Sequence, residues 1–426
     1  MAIPPKINPR LAGLEPSATV AINDRSNALR AAGRRIFKLG LGQSPFPVPE
    51  VVQAALREHA GEKDYLPVMG LPALREAVAD HHRRVDGVDC DAEDVLVGPG
   101  SKELLFLLQL AYDGELVVPS PSWVSYVPQS RIIGHPLHVL PTRYEDDWLL
   151  TAETLERACE LDEDQARLLI LNYPSNPSGT TLSEERLREI AEVAERRNVL
   201  VLSDEIYGRL DHDGSHHSIA KMLPDTAILS GGLSKWCGAG GWRLGVFVFP
   251  KQLHWLRDAM AAVATETFTS TAAPIQHAAI AAYLPSHEID AYVEDSRRIL
   301  RGLGSRCARA LRESGARVVE PTGGFYLFAD FTALEVELRA RGCTTSAELC
   351  EQLLEATGVA VLPGSAFGRP RRELSIRAAY VDFDGAAALE ALRSYGGEPD
   401  RAFLETHCGD TLEAFERIAA WARELA

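Results

Sequence analysis

The sequence predicts an α/β fold with a largely parallel sheet, followed by a smaller α+β region. Over residues 94–249, short apolar segments rich in Val, Leu and Ile alternate with stretches of helical periodicity. Such near-continuous apolar runs are typical of parallel strands that helices cover on both faces. After about residue 303 the alternation becomes less regular, which predicts an α+β cap.

Before the first predicted strand, helical segments are separated by loops dense in glycine and proline. One amphipathic helical stretch falls within residues 10–38, with apolar positions that include Val20 and Ile36. The Gly/Pro-dense loop over residues 38–49 lets backbone approach a ligand closely, although a simple connector is the alternative. The next helices are predicted at residues 49–60 and 73–85.

Six strands are predicted in the α/β region, and unusual polar or glycine-rich stretches follow five of them. Because ligands bind beyond the carboxyl ends of strands in parallel sheets, we expect residues far apart in the chain to meet in one cleft. The predicted strands span residues 94–97, 114–118, 167–172, 199–203, 226–230 and 245–249. In the C-terminal region, extended segments are predicted at 318–319, 321–328, 359–363 and 373–380, and helices at 346–357 and 411–426.

Composition and charge favour a small-molecule ligand. The chain has 426 residues, of which 46% are hydrophobic and 24% charged, enough for two domains or for one large and one small domain. Its formal net charge of -16 disfavours nucleic acid and anionic membranes as partners, because both require clustered positive charge.

Cysteine usage and the N-terminal residues predict a cytoplasmic protein. The seven cysteines are spread along the chain without a C-x-x-C pair, so neither a disulfide framework nor a zinc site is predicted. The N-terminus lacks a basic segment followed by an apolar one, and the longest apolar run, residues 104–112, is too short to span a bilayer. We therefore expect no export and no membrane partner.

A lysine and an arginine share the loop after the fifth predicted strand. Lys235 follows that strand in a Gly/Ser-rich turn, and Arg243 comes eight positions later across further glycine. A lysine amine becomes a catalyst when its pKa is lowered or when it is held as an imine, and an arginine can hold a phosphate. The pair suggests a Schiff-base lysine for pyridoxal phosphate, with an ordinary surface lysine as the alternative.

The other strand ends offer partners for such a cofactor, and each also has a structural explanation. Ser101 lies at a predicted helix N-terminus, which attracts anions but also needs capping residues. Asp204 would suit a protonated pyridine nitrogen or a helix N-cap, and Trp123 would suit ring stacking or core packing. Asn176 and Tyr207 could bind a ring oxygen anion, or form a turn and fill the core.

Several motifs resemble a known family. The stretches NYPSNPSG, SDEIY, LSK followed by GWRLG, and PTGGFY are similar to those of the class I and II aminotransferases. These belong to the fold type I superfamily of pyridoxal-phosphate enzymes, and the likeness is nearest to the bacterial aspartate aminotransferase branch. It implies a seven-stranded, mostly parallel sheet between helices in a large domain, residues 51–302. A smaller α+β domain would be built from both termini, residues 1–50 and 303–426.

The resemblance also implies roles for individual residues. Lys235, Asp204 and Tyr207 would be catalytic. Tyr65 would reach a phosphate in the neighbouring subunit of an obligate homodimer. The implied cofactor-binding set within one chain is Gly100, Ser101, Lys102, Trp123, Asn176, Asp204, Tyr207, Ser234, Lys235 and Arg243. The substrate α-carboxylate would bind Arg377, assisted by the Gly42 backbone and Asn176.

We therefore expect transfer of an amino group from an L-amino acid to a 2-oxo acid by a ping-pong mechanism. In this mechanism Lys235 moves a proton and Asp204 keeps the cofactor ring cationic. Other reactions of the same cofactor stay open, namely β-elimination, decarboxylation, oxidation and aminocyclopropane-carboxylate formation, because the motifs fix the cofactor more firmly than the reaction. An acidic or aromatic substrate is expected.

Two stretches bear on the substrate. Residues 44–46, Ser-Pro-Phe, stand where the family usually has an acidic-aromatic pair, at a position where side-chain selectivity is often set. NPSG also replaces the usual NPTG. Lys102 matches a lysine that, in one bacterial branch, helps to bind the distal carboxylate of the substrate. A solvated lysine at a helix start is the alternative.

Three other classes are disfavoured. A cofactor-sensing regulator would need a DNA-binding module, and we expect neither a spare N-terminal domain nor a basic patch. Residues 98–100 and 238–240 do not continue as the GxGxxG of a dinucleotide-binding dehydrogenase. His212, His216 and His217 imitate the spacing of metal ligands, but their acidic and glycine neighbours predict a solvated loop, so no metal is expected.

Overall fold

The computed structural model describes residues 6–14, 16–162 and 164–425, which alternate between strands and helices for most of their length. The strands are β1 (Phe37–Lys38), β2 (Val95–Gly98), β3 (Glu115–Ser120), β4 (Leu137–Pro141), β5 (Arg167–Asn172), β6 (Leu200–Asp204), β7 (Ala227–Gly232), β8 (Gly245–Val248), β9 (Arg317–Val318), β10 (Tyr326–Asp330), β11 (Val359–Ala360), β12 (Leu362–Pro363) and β13 (Ser375–Ala379). The α-helices are α1 (Ala18–Ala31), α2 (Glu50–His59), α3 (Pro72–Val85), α4 (Ser101–Ala111), α5 (Tyr126–Ile133), α6 (Ala152–Glu160), α7 (Glu184–Arg196), α8 (His254–Thr265), α9 (Ala273–Tyr283), α10 (His287–Glu313), α11 (Glu335–Ala340), α12 (Ser346–Thr357), α13 (Gly385–Tyr395), α14 (Arg401–His407) and α15 (Gly409–Arg423).

The central sheet has seven strands in the order β2-β8-β7-β6-β5-β3-β4. Its strands run parallel except β8, which is antiparallel to both of its neighbours, β2 and β7. The predicted α/β class with a mostly parallel, seven-stranded sheet is thus confirmed. The edge strand β4 was not predicted, because its short sequence carries His138 and ends in Pro141 instead of forming a continuous apolar run.

Both faces of the central sheet are covered, as its apolar strands predict. Along β5, Leu169 and Leu171 belong to one apolar core, and Leu168 and Ile170 belong to the core on the other face. This alternation follows from the two-residue period of a strand.

The strand register brings the polar strand ends together. In the sheet, Asn172 at the end of β5 lies beside Asp204 at the end of β6, and Asp204 lies beside Ser230 of β7. Lys235 follows three residues after the end of β7. The carboxyl edge of the sheet therefore gathers an amide, a carboxylate and an amine from three separate parts of the chain.

A second sheet with the order β12-β13-β10-β9 forms the smaller region together with the C-terminal helices, which confirms the α+β prediction. The N-terminal segment joins it, because β1 pairs in parallel with β11. Helix α10 runs unbroken through residue 302, where the sequence placed a domain boundary. The division at residues 50 and 302 stays a prediction. No helix within the described ranges combines the length and hydrophobicity of a membrane span.

The N-terminal helix differs from its prediction. Helix α1 ends at Ala31, so Ile36 lies outside it and is buried instead beside Leu354 and Ala360. Val20, which was expected on the buried face of the helix, is 51% exposed. The apolar spacing had combined a helix and a following extended segment into one pattern.

The loop with three histidines is not solvated throughout, which corrects another prediction. His212 is buried, and its ring nitrogens lie 3.2 and 3.0 Å from the carbonyl oxygens of Pro321 and Gly324. Nε2 of His216 lies 2.7 Å from a carboxylate oxygen of Glu205. The loop packs against the segment before β10, and local composition cannot reveal such a distant contact.

Candidate active site

A cavity of about 570 Å³ lies at the carboxyl edge of the central sheet. Strand ends, the first turn of α4, the loop after β7, and segments near both termini line it. The residues predicted from the sequence that line it are Gly42, Ser101, Lys102, Trp123, Asn176, Asp204, Tyr207, Ser234, Lys235, Arg243 and Arg377. The expectation that distant strand ends meet in one cleft is therefore fulfilled in the geometry.

Two predicted residues do not line the cavity. Gly100 lies behind it with a φ of +90°, and a Cβ at this position would come within 2.2 Å of Nη2 of Arg243. Glycine is thus required here both by the backbone and by the close guanidinium. Tyr65 lies in the loop between α2 and α3 and is 90% exposed, away from the cavity of its own chain.

Lys235 is buried with its amine inside the cavity. Its Nζ donates a 2.8 Å hydrogen bond to the carbonyl oxygen of Gly42 and lies 5.5 Å from the ring centroid of Tyr207. Burial, together with the charge of Arg377, lowers the pKa of the amine to about 8. An amine with this pKa is partly neutral near physiological pH, so it can act as a nucleophile or a base.

Asp204 lines the cavity and keeps one carboxylate oxygen unpaired among the described residues. Its Oδ2 accepts a 2.5 Å hydrogen bond from the phenol of Tyr126, whereas its buried Oδ1 has no hydrogen-bond partner in the described part of the chain. Burial raises the pKa of this carboxyl to about 6, while hydrogen bonds from Tyr126 and the Ile206 backbone act against the rise. A buried oxygen of this kind can accept a hydrogen bond from a donor that enters the cavity.

Asn172 connects two of the predicted site residues. Its Nδ2 donates to the carbonyl oxygen of Asp204 at 2.8 Å, and its Oδ1 accepts from the backbone N–H of Asn176, also at 2.8 Å. The side chain of Asn172 therefore fixes the distance between the end of β6 and the loop that carries Asn176.

Four cations surround the cavity: Lys102, Lys235, Arg243 and Arg377. Arg243 donates to the carbonyl oxygens of Gly240 at 3.0 Å and Pro99 at 3.4 Å, and Arg377 donates to the carbonyl oxygen of Gly40. Nζ of Lys102 lies 5.0 Å from the ring centroid of Trp123, and burial beside Arg243 lowers its pKa.

Arg243 also adopts a φ of +56°, a sparsely populated conformation for a residue other than glycine. Backbone strain of this kind persists where the surrounding structure holds it, and it is concentrated at functional sites. The conformation turns the guanidinium towards the first turn of α4.

Sequence reasoning missed several residues of the cavity and misplaced others. Tyr126 opens α5 three positions after Trp123, which lies outside that helix, so only its nearness to a predicted residue could have suggested it. Tyr326 lies in the quoted PTGGFY motif without an assigned role. Residues 44–46 do not line the cavity, and Phe46 packs instead against core aromatic rings. The loop contributes Leu41 and Gln43 in their place.

A buried amine of lowered pKa, a buried carboxyl and three further cations around one cavity of an α/β fold form a site that suits anionic ligands and amine chemistry. The family model of the class I and II aminotransferases matches residues 34–385, so the chain belongs to this family. It is accordingly an aminotransferase, which transfers an amino group from an amino acid to a 2-oxo acid.

The chain is similar to several enzymes that are named for aspartate. The chain is 34% identical to an aspartate aminotransferase of Geobacillus stearothermophilus, over 91% of this chain and 96% of that protein. It is 33% identical to an aspartate/prephenate aminotransferase of Thermus thermophilus, over 85% and 92%. The solved structure of Thermus thermophilus aspartate aminotransferase with maleate is similar with a TM-score of 0.83 and 29% identity, covering 98% of this chain and 99% of that one.

Proposed function

We propose that this aminotransferase uses pyridoxal 5'-phosphate and takes a dicarboxylic L-amino acid as its amino donor. The observation that carries the proposal is the charge of the cavity. Four cations line the cavity, whereas Asp204 is the sole carboxylate among its described lining residues. This local excess of positive charge occurs in a chain whose formal net charge is -16. Buried positive charge is costly without anionic partners, which a phosphate and the carboxylates of a substrate would supply.

The residues present fit the cofactor. The orphaned Oδ1 of Asp204 suits a protonated pyridine nitrogen, and the guanidinium of Arg243, which lies so close to Gly100 that a side chain there would displace it, suits a phosphate. Backbone N–H groups at the start of α4, from Ser101 onward, and the hydroxyl of Ser234 add donors for the same phosphate. Trp123 would cover the ring, while Asn176 and Tyr207 would donate to its phenolic oxygen.

Each residue of the site then has its own role in the reaction. Pyridoxal phosphate, when bound, supplies an aldehyde that reacts with amines and a ring that withdraws electrons from the substrate Cα. Lys235 would bind that aldehyde and, as a free amine, would be the base that takes the proton from the substrate Cα. Asp204 holds the proton of the ring nitrogen, and Arg377 binds the substrate α-carboxylate beside the Gly42 backbone and Asn176. A 2-oxo acid reverses these steps, which gives ping-pong kinetics.

Lys102 supports an acidic substrate. It is the cavity cation that the phosphate and the α-carboxylate leave without an assigned partner, and burial beside Arg243 lowers its pKa. A distal carboxylate would raise the pKa of Lys102 again by favouring its charged form. The names of the relatives, which include aspartate and prephenate, support the same class.

A homodimer in a reducing cytoplasm completes the proposal. Tyr65 is 90% exposed in its own chain, which supports a role in the phosphate site of a second copy. The seven cysteines are all unpaired and buried, which supports a reducing compartment. Neither nucleic acid nor a membrane is proposed as a partner.

A spectroscopic titration tests the function. The purified protein would be loaded with pyridoxal phosphate, and its absorption spectrum would be followed during addition of single amino acids. We expect aspartate and glutamate to convert the aldehyde form to the amine form, and their 2-oxo acids to restore it. Lys235→Ala should show no conversion. Conversion by aromatic amino acids alone would reject the acidic substrate, and conversion by none would reject the proposed reaction.

A further inference from the structure

A second, much smaller cavity of about 30 Å³ adjoins the end of β6. Glu205, which directly follows the active-site residue Asp204, lines it, and Ile206 lines both cavities. The space is large enough for one water molecule. The polar side chains around it come from four separate segments and are those of His81, His82, Asp86, Glu205, Arg209, His216, Ser230 and Tyr283.

Three of these side chains have the donor set of a metal site. One ligand atom from each of Asp86, Glu205 and His216 lies within 4.8 Å of the other two. Imidazole nitrogen and carboxylate oxygen are both common ligands of Zn²⁺, which is four-coordinate in most protein sites. Three side chains would therefore leave one position for a water in the cavity. Two carboxylates also balance the charge of a divalent ion, which lowers the cost of burying it.

Both carboxylates are already oriented by other side chains, as metal ligands usually are. Oε1 of Glu205 accepts hydrogen bonds from the hydroxyls of Ser203 at 2.7 Å and Ser218 at 2.6 Å, which leaves Oε2 for the imidazole. Nδ1 of His82 lies 2.6 Å from Oδ2 of Asp86. An ion would thus meet carboxylates whose positions are largely fixed before it binds.

Several buried polar atoms of the residues around this cavity have no hydrogen-bond partner within the described ranges. Native proteins leave few buried polar atoms unpaired. A water bound to the ion would lie among these atoms and serve as a partner for some of them. The atoms are Nδ1 of His81, Nε2 of His82, Nδ1 of His216, Oγ of Ser230 and the hydroxyl oxygen of Tyr283.

We propose that Asp86, Glu205 and His216 bind a divalent transition-metal ion of the Zn²⁺ type, which joins the end of α3, the residue after β6 and the loop of residues 211–217. The imidazole coordinates through a nitrogen lone pair, and any proton on that nitrogen leaves to solvent. A nitrogen ligand favours Zn²⁺ over Mg²⁺ and Ca²⁺, which prefer oxygen ligands. The inference does not depend on the proposed function.

The spacing of His212, His216 and His217 in the sequence predicts no metal, because this site is not local. The fold turns His216 towards two carboxylates from distant segments, while His212 contacts backbone carbonyl oxygens instead. An ion can reach the site from the surface, because the side chain of Asp86 is 11% exposed and Ser215, next to His216, is exposed.

The test measures Zn²⁺ binding to the full chain after dialysis against a chelator, by competition with a chromophoric chelator. We expect one tight site per chain, from which excess Mg²⁺ does not displace the ion. Asp86→Asn and Glu205→Gln should each weaken binding by about 100-fold or more, because each removes a charged ligand. His82→Phe should weaken it by about 10-fold, because His82 only orients Asp86. Zn²⁺ should also raise the melting temperature of the unmodified protein, since it binds the folded chain.

A second group of possible ligands, His59, Glu62 and His277, provides the matched control. Its ligand atoms also lie within 4.8 Å of one another, but Glu62 is exposed and no cavity is described beside them. The double variant His59→Ala/His277→Ala should keep the tight site. Absence of a tight site, its loss in this control, or an unchanged melting temperature would overturn the inference. If Glu205→Gln does not fold, tight binding that survives in Asp86→Asn overturns it equally.

Discussion

Tyr126 donates a 2.5 Å hydrogen bond to Oδ2 of Asp204, and this bond acts on a carboxyl whose pKa burial raises to about 6. The phenol stabilises the charged form of the carboxyl, since it donates to the carboxylate. It also fixes which oxygen stays free, because Oδ1 is left without a partner among the described residues. Tyr126 therefore sets both the orientation and the charge of Asp204.

Replacing Tyr126 by Phe should raise the pKa of Asp204 further. The ionised fraction of Asp204 falls as the pH falls through its pKa, so binding of pyridoxal phosphate should weaken at a higher pH than in the unmodified protein. At pH 6 to 7 we expect roughly 10- to 100-fold weaker binding, the equivalent of one hydrogen bond to a charged group. The measurement is the cofactor dissociation constant between pH 5.5 and 8.5. Tyr395→Phe changes a phenol outside the cavity lining, where the ring packs against Phe403, and is the control. The same pH profile in both variants would contradict the role.

Lys235 should make the stability of the cofactor-free protein depend on pH. Its pKa is about 8 in the folded chain against 10.5 for the free side chain. Between these values the unfolded chain binds more protons, so stability rises with pH over this window and is lost again as the pH falls towards 8. The stability of Lys235→Met should lack this rise with pH. At pH 7 this variant should melt at a higher temperature than the unmodified protein, because it has no amine whose burial disfavours the charged form. Equal melting temperatures of the two proteins from pH 7 to 10.5 would exclude a buried amine of lowered pKa.

Lys102 should select for acidic substrates. Its replacement by Met is expected to lower kcat/KM for aspartate by about 10- to 100-fold, the range of a hydrogen bond to a charged group, and to change kcat/KM for phenylalanine little. Lys63→Met is the control, since Lys63 is exposed and pairs only with the adjacent Asp64 among the residues placed by the structure. An equal loss for both substrates would assign Lys102 to the cofactor instead.

Gly100 should tolerate no side chain. In Gly100→Ala the added Cβ would lie 2.2 Å from Nη2 of Arg243, on a backbone with a φ of +90°. The guanidinium must move, so we expect weaker binding of pyridoxal phosphate, whereas binding of unphosphorylated pyridoxal should change less. Equilibrium dialysis of both compounds measures this. Gly61→Ala, where no atom lies within 4 Å of the new Cβ, should bind both normally.

Mixed dimers would show in which subunit Tyr65 acts. Lys235→Ala and Tyr65→Ala proteins should each be impaired alone. After subunit exchange, a hybrid regains one intact site if Tyr65 serves the partner, because the Lys235→Ala subunit supplies the tyrosine and the other subunit the lysine. Activity of the mixture should then exceed that of either parent several-fold. No gain after verified exchange would place Tyr65 in its own subunit's site or outside the mechanism.

Local signals predicted some elements fully. The strand expected at residues 167–172 coincides with β5, and the helix expected at 346–357 coincides with α12, where Thr345 and Glu348 form a capping box. Prediction failed where a strand or a buried side chain depends on contacts with distant parts of the chain. β4 depends on pairing with β3, and the burial of Ile36 depends on contacts with residues more than three hundred positions away.

The sequence by itself determined the chemistry available at each strand end: an amine, a carboxyl, an amide, a phenol and the guanidinium after the loop. A parallel sheet brings its carboxyl ends to one edge whatever the details of packing, so their meeting could be expected. The tertiary structure alone decided which oxygen of Asp204 is free, which cations lack an acidic neighbour, and that Tyr126 and Tyr326 complete the cavity. These relationships depend on distances of a few ångströms between segments that local periodicity does not relate, and only close packing fixes such distances.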